Sequence, residues 1–96
     1  RILSRNTVRL MTMNQIGDLS LGNDKFGLGF QVVTERGSAR TPSNPGTFSW
    51  GGAFATSYWV DPKEKMVFLF YRQLQGSTHG DVVEKFRDMV YAAMND

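Results

Sequence analysis

The 96-residue chain contains no cysteine, so a disulfide framework and a thiolate metal site are both excluded. It has a single histidine, His79, and no acidic residue at a spacing that makes a triad with it. A capping or solvated position at the start of the last helix is the ordinary reading of that residue. The Asp and Glu residues are scattered, so neither a metal nor another cofactor is called for. The longest apolar run, Met66 to Tyr71, is far too short to span a bilayer. No Lys/Arg run reaches four residues and the net charge is only +2, which argues against a nucleic-acid footprint. Nothing at the start has the charged-then-apolar pattern of a secretory leader. The opening, Arg1-Ile2-Leu3-Ser4, lacks an initiator Met, and the chain is expected to be part of something longer.

What is present belongs to one globular domain. Apolar residues make up 41% of the chain and aromatics 12%, enough to build a core and too much for a disordered segment. A helix is expected from about Ser4 to Gln15, with Ser4 as N-cap and Val8, Met11 and Gln15 or Ile16 on one face. Gly17-Asp18 ends it, and Gly22-Asn23-Asp24 is turn chemistry. Gly27 to Thr34 reads as a strand with Leu28, Phe30 and Val32 on one face, its glycines marking close backbone approach. Glu35 to Gly46 reads as a loop.

Thr47–Ala53, Ala55–Asp61 and Met66–Arg72 read as three strands of an antiparallel meander, the last two joined by the polar turn from Asp61 to Lys65. Thr78 to Asp81 fits a capping box. The helix after it carries Val82, Phe86, Met89 or Val90, and Ala93 on one stripe. The expected class is α+β, an antiparallel sheet flanked by N- and C-terminal helices. A strand reading Met-Val-Phe-Leu-Phe-Tyr has no polar face, as in a sheet covered on both sides. The two helices can cover one side; nothing in the 96 residues supplies the other. The plainer reading is a small two-layer α+β domain with one aromatic-rich face.

The stretch with chemical interest is Gly46-Thr47-Phe48-Ser49-Trp50-Gly51-Gly52-Ala53. Adjacent glycines within a strand mark a bulge, a tight bend, or a place where a ligand comes close to the backbone. In the last case, side-chain-free residues leave main-chain N–H groups open to a developing oxyanion.

From Phe48 to Gln73 the chain resembles the C-terminal part of the β-lactamase-like serine hydrolases, nearest to class C β-lactamases and family VIII carboxylesterases. Phe26-Gly27-Leu28-Gly29-Phe30 and the closing helix with Phe86, Val90 and Tyr91 are also similar. The most specific part is Trp50-Gly51-Gly52 followed by Trp59-Val60-Asp61-Pro62. The resemblance implies that residues 1–96 are the C-terminal portion of a larger β-lactamase/transpeptidase-like α/β sandwich. In that family an early Ser-x-x-Lys supplies nucleophile and base, a Tyr-x-Asn or Tyr-x-Ser assists, and a late Lys-Thr-Gly lies beside them. By this match Trp50, Gly51 and Gly52 stand at the substrate-binding Lys, Thr and Gly places. The backbone N–H of Ala53 would then serve the oxyanion hole.

Trp50-Gly51 offers neither the charge nor the hydroxyl that helps hold a β-lactam carboxylate, so the implied substrate is a neutral ester or small amide. No serine here is followed three residues later by Lys, and no tyrosine two residues later by Asn or Ser. The implied partner is therefore an N-terminal part of the same enzyme, as a second chain, and this chain alone is expected to be inert. The alternative is a non-catalytic binding or assembly module that keeps the sheet without the nucleophile.

Overall fold

In the computed structural model, which describes residues 2–76 and 80–94, five strands form one antiparallel meander. The order of elements is α1 (Arg5–Met11), β1 (Lys25–Phe26), β2 (Gln31–Val32), α2 (Glu35–Ser38), β3 (Phe48–Gly51), β4 (Ser57–Asp61), β5 (Met66–Phe70) and α3 (Asp81–Ala92). The class is α+β, as the alternation and helical periodicity imply.

Ser4 caps α1 through its side chain, which accepts from the Thr7 amide. The helix stops at Met11, short of the expected Gln15, because its end is claimed by other bonds. Thr12 Oγ1 donates to the Val8 carbonyl at 2.9 Å, and the Met11 carbonyl accepts from the Leu28 amide at 3.0 Å. Asn14 then diverts the backbone locally, its Oδ1 accepting from the Ile16 amide, while the Gln15 amide reaches the Phe26 carbonyl.

The single strand expected over Gly27–Thr34 is instead a hairpin, β1–β2. Gly27 donates to the Phe30 carbonyl at 2.8 Å, and Gly29 takes a φ of 102°, a conformation that suits glycine. The reversal turns Leu28 outward, so it does not share a face with Phe30 and Val32; it is exposed while Val32 is buried. The close approach expected at the glycines is present at Gly27, where a Cβ would lie 2.0 Å from the Met11 carbonyl oxygen. The segment read as a loop contains one helical turn, α2, capped by Thr34, whose Oγ1 accepts from the Gly37 amide at 3.0 Å.

β3, β4 and β5 pair in the expected order, with Phe48 opposite Val60 and Val60 opposite Val67, and Trp50 opposite Tyr58 and Tyr58 opposite Leu69. Partners across a ladder share a face, so this register separates two surfaces. One holds Trp59, Phe68 and Phe70 and lies against α3: Phe68 meets Tyr91 at 5.1 Å and Phe70 meets Phe86 at 4.9 Å between ring centroids. Phe68, only 3% exposed, is its centre.

The other surface holds Phe48, Trp50, Tyr58, Val60, Val67 and Leu69, with Phe30 edge-on to Phe48. No helix covers its outer half: Val67 is 61% exposed and Leu69 54%. The expectation that α1 joins α3 in covering the sheet is not met: α1 is tied to the β1–β2 hairpin through the Met11 carbonyl, and its Val8 and Leu10 stand exposed. Thr78 of the expected capping box, and His79, lie outside the described residues; α3 begins at Asp81 with Gly80 at its N-cap and no side-chain cap bond there. Among the described residues no helix is long and apolar enough to cross a membrane.

Candidate functional site

The four residues singled out by the resemblance stand at the far end of β3 and in the turn that follows. β3 ends at Gly51, two residues earlier than expected. The turn is closed by the Ala55 amide donating to the Gly52 carbonyl at 3.1 Å, and the Gly52 amide donates across it to the Thr56 carbonyl at 3.0 Å. Ala53 and Phe54 have negative φ and Ala55 has φ 69°, so this is a type I turn followed by a left-handed residue, a three-residue hairpin loop. Ala53 is its first central position. Its amide N–H makes no hydrogen bond among the described residues, and Gly51, Gly52 and Ala53 are all exposed.

The glycines have a local cause as well. A Cβ on Gly52 would lie 2.5 Å from Thr56 Oγ1, and one on Gly51 would lie 3.3 Å from the Thr56 carbonyl oxygen. The tight bend expected at the glycines is therefore present, and it crowds Gly52 against the Thr56 side chain. It does not account for the open edge beside it. β2 pairs with β3 only at Phe48 and Ser49, and it has turned away before Trp50. Because Gly52 bonds toward β4, ladder alternation sends the peptide groups of Gly51 to the opposite, unpaired edge. Trp50 lies on the helix-free face, 48% exposed, with its ring edge-on to Phe26 at 5.4 Å.

A cleft of about 640 Å³ opens between β3–β4 and the first half of α3, and Trp50, Gly51, Gly52 and Ala53 all line it. Its floor carries Ser49, Gly51 and Ser57 beside Trp59, and Val83, Glu84 and Arg87 line its α3 side. Ser49 and Ser57 are hydroxyls without an activating partner: neither is hydrogen-bonded to a Lys, His, Asp or Glu side chain among the described residues.

The turn is held from behind. Arg72 Nε donates to the Ala55 carbonyl at 2.9 Å, and the Leu74 amide donates to the Phe54 carbonyl at 3.0 Å. These anchors are invisible in sequence, because they join residues 17 and 20 positions apart with no shared motif.

A second polar cluster also escaped sequence reasoning. Asp61, fully buried at the end of β4, accepts from Asn44 Nδ2 at 2.8 Å, from the Lys63 and Glu64 amides at 3.0 and 3.1 Å, and from the Tyr91 hydroxyl of α3. Burial presses its pKa upward, but these donors outweigh burial and hold the carboxyl below its ordinary value. Burial first, then the bond to Asp61 and its charge, push the Tyr91 phenol up to about 12. With its acceptor positions filled by the fold itself, this pair is a fastening between α3 and the sheet. The Asp-Pro turn was the only sequence signal of it.

No protein family matches the chain. It is 33% identical over 86 residues to two curated proteins of Mycobacterium tuberculosis, the uncharacterized protein MT1414 of strain CDC 1551 / Oshkosh and protein Rv1367c of strain ATCC 25618 / H37Rv. The match takes in 76% of this chain and 21% of each relative, so the chain spans about a fifth of their length.

Proposed function

We propose that these 96 residues are the C-terminal portion of a serine hydrolase of the β-lactamase-like fold, acting through an acyl-enzyme on esters or small amides. The observation that carries the proposal is the end of β3. An open strand edge at Gly51 and an unbonded amide at Ala53 border a cleft, in the segment that resembles the family's late active-site strand. The substrate acyl group lies along that edge, and the Ala53 N–H donates to its carbonyl oxygen as negative charge develops there. The nucleophile and its base come from the Ser-x-x-Lys of the N-terminal part, which this chain lacks. With glycine at position 51 and the Trp50 side chain turned to the other sheet face, the strand edge brings neither charge nor hydroxyl to the substrate, which favours neutral acyl groups over carboxylated β-lactams. The helix-free sheet face, with Trp50, Tyr58, Val67 and Leu69, is where the rest of the enzyme packs.

Ala53→Pro tests the role of the amide, since it removes the N–H at a turn position that proline suits. In the full polypeptide it lowers kcat for p-nitrophenyl butyrate about a hundredfold or more, while the fold measured by circular dichroism is retained. Unchanged kcat in the folded variant contradicts the assignment.

One observation favours a second reading, a binding or assembly module. β5 is an edge strand with no charged residue between Met66 and Phe70, and such an edge accepts another strand. On that reading no upstream Ser-x-x-Lys is encoded, and the 96 residues are folded and monomeric alone.

A further inference from the structure

The hydrolase reading asks the Ala53 N–H to hold its direction while charge develops. Preorganised donors act because they need no rearrangement at the moment of reaction, and such groups must be held to within about 0.5 Å. A turn ending in a left-handed alanine is poorly suited to this on its own, because that conformation costs an L-residue roughly 1–2 kcal/mol. Ala55, at φ 69°, is that residue. Something outside the turn must hold it.

We infer that Arg72 is a positioning residue for this site, fixing the Gly52–Ala55 turn by its hydrogen bond to the Ala55 carbonyl and thereby aiming the Ala53 N–H; the inference rests on the hydrolase reading. The guanidinium Nε is 2.9 Å from that carbonyl oxygen. The guanidinium carbon lies over the Phe70 ring, 5.3 Å from its centroid, in a cation–π contact. Phe70 in turn packs against Phe86 of α3. The turn is thus braced through Arg72 and Phe70 against the one helix that covers the sheet. The Leu74 amide pins the neighbouring Phe54 carbonyl, so both carbonyls that follow Ala53 are tied to the chain leaving β5. Arg72 touches no reacting atom in this account; it acts through Ala55.

A double-mutant cycle in the full polypeptide, read by steady-state hydrolysis of p-nitrophenyl butyrate, tests this. Arg72→Met keeps the apolar stem and removes the donors. It lowers kcat about tenfold or more, as expected for a misplaced catalytic donor, with KM changed less than about twofold. In the Ala53→Pro background, where there is no N–H left to aim, the same substitution has an effect of less than about twofold on kcat. Arg72→Lys, which keeps a donor near the Ala55 carbonyl, gives a kcat between those of the wild type and Arg72→Met. If Arg72→Met does not fold, Arg72→Lys carries the cycle: its loss of kcat disappears in the Ala53→Pro background, or the inference fails. Full kcat in folded Arg72→Met, or an undiminished loss on top of Ala53→Pro, overturns the role of Arg72 alone. Full kcat in Ala53→Pro overturns the site itself, and the inference with it.

Discussion

At the scale of single residues, Asp61 and Tyr91 make the stability of the fold depend on pH. Asp61 has a folded-state pKa below its ordinary value of 3.8, so its stabilising effect is fully present above that value. It is lost as pH falls through the lower folded value. Tyr91 behaves in the opposite sense. Its pKa is raised from 10.0 to about 12, so its effect is complete below pH 10 and drains away between pH 10 and about 12. Tyr91→Phe removes a donor from a buried carboxylate and is expected to cost about 2 kcal/mol at neutral pH, checked by urea denaturation. The same variant lacks the loss of stability that Tyr91 ionisation imposes between pH 10 and 12. Ala55→Gly relieves a left-handed alanine at some cost in chain entropy, and is expected to stabilise by up to about 1 kcal/mol in the same assay.

At the scale of elements, the junction between α1 and the β1–β2 hairpin leaves no room for a side chain at Gly27. A Cβ on Gly27 would stand 2.0 Å from the Met11 carbonyl oxygen, a backbone atom that cannot rotate aside. Gly27→Ala is therefore expected to destabilise by about 3 kcal/mol or to detach α1, seen as lowered denaturant midpoint and reduced helix signal. The physics of this junction also explains which elements were legible in sequence. β3, β4, β5 and α3 announce themselves because their pattern is set by neighbours one turn or one strand away: alternation, a Pro-containing turn, an amphipathic stripe. The β1–β2 region misled because a four-residue reversal, Gly27 to Phe30, inside an apolar run keeps the composition of one strand; Gly29 with its φ of 102° divides it. α1 ended early because its last carbonyl is claimed by Leu28, a contact between residues 17 apart that no periodicity encodes. The candidate site divides the same way. Trp50, Gly51, Gly52 and Ala53 stood out as a motif, whereas Arg72 and Leu74 support them only through the folded hairpin.

At the scale of the whole molecule, the sheet is half dressed. α3 shelters Phe68 and Phe70, while Val67 and Leu69 on the opposite face and the outer edge of β5 face solvent. Apolar surface of this kind ordinarily marks an interaction site or an aggregation hazard. The 96 residues by themselves are expected to self-associate, with Val67→Lys and Leu69→Glu together shifting the population toward monomer in sedimentation velocity. They are also expected to be inert toward esters, because Ser49 and Ser57 on the cleft floor are hydrogen-bonded to no Lys, His, Asp or Glu side chain among the described residues. Covalent labelling tests the proposed upstream portion most directly. Intact-mass analysis after treatment with an activated fluorophosphonate is predicted to show one adduct on the full polypeptide, mapping to the serine of an upstream Ser-x-x-Lys, and none on the 96-residue chain. No adduct on the full polypeptide, or an adduct on Ser49 or Ser57, would contradict the account.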